Sequence, residues 1–369
     1  MKDNVLFLPG LNGLRSIAAI SVMISHISLS TTAFNLKYYL FGIDQKGVPK
    51  GWLLGSHGVT IFFVLSGFLI TYLLFLEKEK AKISIKNFYI RRILRIWPIY
   101  YLFLIICLSI IICTKQDYVI TDILYYLFFV ANIPFIFSFG FPLLSHFWSI
   151  AVEEQFYIFW PLLLKKNKNF FGLILCMIIL LNIFRYFVWW QNPYSDIAIF
   201  SIVNRFDCMM IGGLGAILYL KKNVIFLKIC TNKVAQIIAW IVMFLLAFNI
   251  KFANAIACTS IVTIITLLII IGQISVENRL INLDLPFFNF IGKISYGIYV
   301  YHILVIYVYS NLFHELIIET YFKTFLVYSS VIITTAVIAY ISYEYFEKYF
   351  LELKNKYSVV KSSAARQKS

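Results

Sequence analysis

The sequence predicts an all-α, polytopic integral membrane protein: a bundle of about ten transmembrane helices with both termini on the cytoplasmic side. Three observations carry that expectation. Of the 369 residues, 61% are hydrophobic and only 13% charged, which leaves too few charged groups to cover a water-facing surface. Apolar runs of roughly 17 to 25 residues, the length that crosses a hydrocarbon core as a helix, recur from end to end. The basic residues gather in alternate loops, as the positive-inside rule requires.

These runs are too long for barrel strands, and only helices or closed barrels satisfy the backbone in lipid. Taken in order, the predicted spans cover residues 11–30, 59–76, 97–113, 146–164, 170–190, 198–220, 234–250, 253–273, 289–312 and 324–346. Cytoplasmic placement of residue 2, residues 77–96, 165–168 and 221–233, residue 279 and everything beyond 347 collects 22 of the 32 Lys and Arg, against six in the alternate loops. The net charge of +15 is therefore a signal of topology and not of nucleic-acid binding. Arg15 and His26 interrupt the first run, which reads as an uncleaved span and not as a signal peptide.

One stretch, residues 123–144, is apolar enough to cross, yet counting it would invert every later loop. Asn132, Pro134, Gly140 and Pro142 interrupt it, so it reads as a re-entrant or surface-lying segment. No internal repeat is visible. Residues 1–352 form one membrane domain, and residues 353–369 form a basic cytoplasmic tail expected to be disordered. The six cysteines lie mostly inside apolar runs without a C-x-x-C pair or metal-ligand spacing, so they read as core residues, and no metal is expected.

Ionisable side chains within spans cost about 2.5–3.5 kcal/mol each on insertion scales and are functional candidates by default. Arg15 and His26 stand eleven residues apart, close to three helical turns, so they share a face about 16 Å apart along the axis. Ser149 and Glu153 share a face of the fourth span, whereas Glu154 is rotated by about 100°. His26 and Glu153 both fall in the outer half, where one carboxylate can orient the imidazole. Arg205 and Asp207 lie two residues apart and point in different directions; an interhelical ion pair and a substrate contact both fit them. Lys293 and Glu344, near span ends, can snorkel to the surface. Arg91, Arg92 and Arg95 stand at the cytoplasmic mouth of the third span, suited to lipid headgroups or, through the guanidinium fork, to phosphates.

Four blocks together resemble acyltransferase family 3, integral membrane proteins that O-acylate bacterial cell-surface polysaccharides and some small glycosylated molecules. They are LPGLNGLRSIAAISVMISH (8–26), GVTIFFVLSGFLI (58–70), RRILRIWPIYY (91–101) and FWSIAVEEQFYIFWP (147–161). NRFDCMMIGGLGAIL (204–218) and GKISYGIYVYHILV (292–305) add weaker support. Asn12 stands where the family often has Asp, and Glu347-Lys348-Tyr349 lacks the Pro that commonly follows the Glu. The esterase-like domain fused to some members is not in this sequence, so a relay through one would need a separate protein.

The resemblance implies a cytoplasmic acyl-CoA donor, usually acetyl-CoA, no bound cofactor, and a sugar acceptor, polysaccharide or lipid-linked, reached from the outer side of a bacterial cytoplasmic membrane. On that footing His26, Glu153 and Glu154 are the catalytic candidates, with His26 as general base. Arg15, Arg91, Arg92 and Arg95 are candidates for donor binding. Ser149, Arg205, Asp207, Tyr296, Tyr299 and His302 are candidates for acceptor binding or structure. Membrane lipids are the remaining partners, with no nucleic acid. A proton-coupled secondary transporter or flippase, in which His26, Glu153 and Asp207 relay protons, is the rival reading, although such proteins commonly carry internal repeats. A scaffold in a polysaccharide-assembly complex is a third.

Overall fold

The computed structural model describes residues 7–114, 119–250, 253–314 and 320–360. Among them it holds sixteen α-helices and no strand; an isolated bridge joins Ile43 to Pro49. The helices are α1 (Leu11–Leu29), α2 (Leu54–Lys80), α3 (Ile85–Cys113), α4 (Ile123–Leu127), α5 (Asn132–Ile136), α6 (Phe147–Lys166), α7 (Phe170–Gln191) and α8 (Asp196–Val203). There follow α9 (Phe206–Leu220), α10 (Val224–Cys230), α11 (Lys233–Ala247), α12 (Ala255–Ile274), α13 (Pro286–Lys293), α14 (Ser295–Phe313), α15 (Tyr321–Ser342) and α16 (Lys348–Asn355). Residue 2 and positions 361–369 of the expected tail lie outside the described residues, and the helical turns of α16 include residues 353–355.

Among the described residues seven helical stretches are long and apolar enough to cross a membrane, or eight if α10 and α11, bent by 55° at their break, form one span. The difference from the expected ten has a physical reason. α1 and α6 are long enough, with 19 and 20 residues. Asn12, Arg15 and His26 in one, and Glu153, Glu154 and Gln155 in the other, dilute their apolar content. The apolar stretches face lipid to different degrees: 67% of that in α2 is buried inside the protein but only 11% of that in α7, which leaves Ile179, Ile183, Phe187 and Trp190 exposed.

Helix starts follow local side-chain chemistry. Ser84, Asn169, Asn232 and Asn254 each accept a hydrogen bond from the backbone N–H three residues on, capping α3, α7, α11 and α12 with about 1 kcal/mol apiece. α3 starts at Ile85, well before the predicted span, so Arg91, Arg92 and Arg95 are carried on the helix itself. Residues 123–144 form two five-residue helices and a 3₁₀ turn (Pro142–Leu144), too short to cross. Positive φ at Phe129, Ser138 and Gly140 breaks the run. The phenol of Tyr100 donates to the Tyr126 carbonyl (2.7 Å), and Tyr126 Oη accepts from the Phe141 N–H (3.1 Å), satisfying backbone groups that lipid could not.

The chain forms two compact units. The flanking unit holds Phe7–Phe62 and Leu227–Lys348. In it α1 packs on α12, α13, α14 and α15, and α14 packs on α15. Met23, Ile27, Ile298, Val305, Val327 and Val331 belong to its core. The central unit holds Phe63–Phe226 and residues 349–360, with α7 on α9, α5 on α6 and α8, and α3 on α6.

Within the central unit two glycines set a close backbone approach. A Cβ on Gly67 would overlap the Met209 carbonyl, and one on Gly212 the Val64 carbonyl. Neither obstacle is the flexible end of a side chain, so the helices themselves would have to separate. Gly212→Val is therefore expected to destabilise the protein by about 1–3 kcal/mol or more. Thermal unfolding in detergent checks this, and an unchanged midpoint would refute the close-approach argument.

Candidate active site

In the flanking unit His26, half-buried on α1, places Nδ1 2.7 Å from Nε2 of His302 on α14. His302 is fully buried, and its own Nδ1 lies 2.7 Å from the Tyr299 carbonyl oxygen. The Tyr299 ring packs against His302 at 5.7 Å and edge-on to Phe62 at 6.0 Å. Tyr296 sits half-buried on the same helix. Arg15, three turns before His26, donates from Nη1 to Asn12 Oδ1 (2.9 Å). Asn12 in turn donates to Asn289 (3.3 Å), which donates to Asp284 (2.8 Å). The Asn at position 12 thus supplies both an acceptor for the guanidinium and a donor for α13.

In the central unit Glu153 accepts hydrogen bonds from Ser66 on α2 and from Tyr157, one turn further along α6. Arg92 reaches the same cluster from α3, its guanidinium 5.3 Å from the Tyr157 ring and 5.6 Å from that of Phe88. Nε of Arg92 is buried without a hydrogen-bond partner among the described residues. A carboxylate, two hydroxyls and a guanidinium are therefore neighbours. The sequence expectation sets the arginines at the cytoplasmic mouth and Glu153 in the outer half of its span; the structure brings Arg92 beside Tyr157, a partner of Glu153.

Other candidates have structural partners. Arg91 forms an ion pair with Glu77 (2.7 Å) and donates to the Tyr357 carbonyl (2.7 Å), tying residues just beyond α16 to α3. Asp207 does not turn to Arg205: Arg185 grips both its oxygens (2.8 and 2.6 Å) and donates from Nε to the Ser201 carbonyl (3.0 Å). Arg205 occupies the break between α8 and α9, where Nε donates to the Ile202 carbonyl (3.0 Å) and the guanidinium lies 5.8 Å from the Trp148 ring. That break divides the predicted span 198–220. Ser149 donates to the His146 carbonyl (3.3 Å). Lys293 and Glu344 pair at 3.2 Å on the surface.

Glu154, read from sequence as catalytic, turns to Trp97, whose Nε1–H donates to Oε2 (3.0 Å). Its other oxygen is buried with no partner among the described residues. A glutamine amide keeps an acceptor for the indole. Glu154→Gln is expected to leave turnover within about fivefold, the equivalent of one ~1 kcal/mol hydrogen bond. Initial rates in membranes at matched protein level check this; a hundredfold loss would restore Glu154 to the chemistry.

Sequence reasoning passed over Ser66, Tyr157 and Trp97. Tyr157 had a usable signal: it follows Glu153 at i+4, on the same face of α6. Ser66 and Trp97 come from other helices, and nothing in their spacing points to Glu153 or Glu154.

Residues 8–344 match the family profile described as an acyltransferase domain. A protein of Staphylococcus aureus (strain COL) that carries a provisional O-acetyltransferase name is 28% identical over 93% of this chain. The O-acetyltransferase OatA of Staphylococcus aureus (strain NCTC 8325 / PS 47) is 26% identical over 92% of it. The chain spans 57% of the length of each of these relatives. No solved structure matches.

Proposed function

Because the chain belongs to acyltransferase family 3, we propose that it is a membrane O-acyltransferase. It moves an acetyl group from cytoplasmic acetyl-CoA to a hydroxyl of a cell-surface polysaccharide or its lipid-linked precursor, in the cytoplasmic membrane of a bacterium. Counting α1, α6 and the bent α10–α11 pair beside the seven apolar spans gives ten crossings, with both termini in the cytoplasm. The names of the relatives support acetyl as the group transferred.

The observation that carries the reading is the imidazole of His26, held by a second histidine inside an apolar unit. In the reaction the sugar hydroxyl attacks the thioester carbonyl while His26 takes its proton. The tetrahedral intermediate then expels the CoA thiolate as the C–S bond breaks, and the thiolate is protonated by the His26 imidazolium. General base catalysis of this kind contributes roughly 10²- to 10⁴-fold. Arg92 and Arg95, three residues apart on α3, bind donor phosphates; Arg91, occupied by Glu77, is the weaker donor ligand. Tyr296 and Tyr299, on the helix of His302, position the acceptor.

Detergent-purified protein supplied with acetyl-CoA and a polysaccharide fraction tests this, because no gradient exists there. Release of CoA thiol that depends on the acceptor is expected. Binding of the acceptor by folded protein with no thiol release would favour a transporter.

A further inference from the structure

We propose that His302 is the positioning residue that sets the tautomer of His26, making Nε2 of His26 the nitrogen that takes the acceptor's proton. The proposal rests on the reading of His26 as the base. His302 Nδ1 lies 2.7 Å from the carbonyl oxygen of Tyr299. A carbonyl oxygen only accepts, so His302 carries its proton on Nδ1 and, as a neutral ring, presents a lone pair on Nε2. Nε2 of His302 is 2.7 Å from Nδ1 of His26. Two lone pairs would repel at that distance, so His26 donates from Nδ1–H, and its own lone pair stands on Nε2.

The ring geometry agrees. The two planes are 16° apart and the centroids 4.9 Å apart. With the nitrogens only 2.7 Å apart, they must lie between the rings near the line joining the centres. The rings therefore meet edge to edge in nearly one plane, as an in-plane N–H···N bond requires, and do not lie face on face. The alternative protonation, with the hydrogen on Nε2 of His302, needs a cationic ring if the Tyr299 bond is kept, which is costly in an apolar bundle.

The same chain acts during the reaction. When Nε2 of His26 takes the hydroxyl proton, the positive charge on its ring strengthens the Nδ1–H bond to His302, and His302 passes part of that polarisation to the Tyr299 carbonyl. This is the task that sequence reasoning gave to Glu153. Here it falls to a neutral ring whose acceptor atom is fixed by backbone, and Glu153 has its own hydroxyl partners in the central unit.

The test compares His302→Gln, His302→Phe and His302→Asn. A glutamine carries its amide oxygen where Nε2 stood and can accept from His26; phenylalanine keeps the volume without an acceptor; asparagine reaches only the Nδ1 position. In detergent-purified protein His302→Gln is expected to stay within about tenfold of wild type. His302→Phe and His302→Asn should lower kcat by roughly 10- to 100-fold, the scale on which metal-bound histidines lose function when their outer hydrogen-bond partner is removed, with KM for both substrates and the melting temperature little changed.

A second readout does not depend on activity. ¹⁵N spectra of protein labelled at its five histidines, assigned by comparison with His26→Gln, should show His26 protonated on Nδ1 in wild type and in His302→Gln. In His302→Phe that preference should be lost. Wild-type kcat in His302→Phe together with a lost tautomer preference would leave the orientation standing and overturn His26 as the base. An Nε2-protonated His26 in wild type, or equal losses in the Gln and Phe variants, would overturn the proposal itself.

Discussion

His26→Ala is expected to lower acyl transfer by roughly 10²- to 10⁴-fold, the range that general base catalysis supplies, with folded protein recovered at wild-type yield. His26 is half-buried, so truncation leaves little void, and His302 keeps its bond to the Tyr299 carbonyl. The loss should therefore appear in the rate and not in stability. His26→Asn sharpens the result: its amide nitrogen stands at the Nδ1 position and can still donate to His302, but it has no basic nitrogen, so it should be as slow as the alanine variant. An asparagine variant with near wild-type turnover would mean that the ring only orders α1 against α14. Rates in isolated membranes, normalised to detergent-extracted protein, decide between the two.

Arg185→Ala should have the opposite signature, a large loss of stability whatever the substrate. Arg185 holds both oxygens of Asp207 and the Ser201 carbonyl, and both side chains are almost fully buried (4% and 3% exposed). Truncating the arginine strands a carboxylate between α7 and α9, a change that typically costs about 3–5 kcal/mol. Arg185→Met combined with Asp207→Leu removes both charges at similar volume and should regain most of the loss. The melting temperature of purified protein measures it: a low value for the single variant and a recovered value for the double. If the double variant melts as low as the single, the pair is not the source of the effect.

The helical membrane class was legible because apolar length alone specifies it. The number of crossings was less so. α1 carries Arg15 and His26 and α6 carries Glu153 and Glu154, and these polar residues weaken their signal as spans. The interruption of residues 123–144 could be read from Pro134, Gly140 and Pro142, since proline and glycine act locally. The break at Asn204–Arg205 could not, because the arginine that satisfies the Ile202 carbonyl looks in sequence like any buried charge.

At the candidate site, sequence reasoning named residues without their partners. His26 and His302 are 276 positions apart, and no periodicity connects them. Asp207 was flagged beside Arg205, yet its partner Arg185 comes from another helix. Periodicity resolves contacts within one helix, such as Glu153 with Tyr157. Contacts between helices depend on packing, which glycines such as Gly67 and Gly212 allow but do not announce.

The most direct test of the central claim is transfer of label from radiolabelled acetyl-CoA into the surface polysaccharide fraction of isolated membranes, comparing wild type with His26→Ala at verified protein level. The account predicts ester-linked label with wild type, released by mild base, and its loss with the variant. Equal labelling by both proteins would contradict the role of His26, and no labelling by well-expressed wild type would contradict the proposed transfer itself.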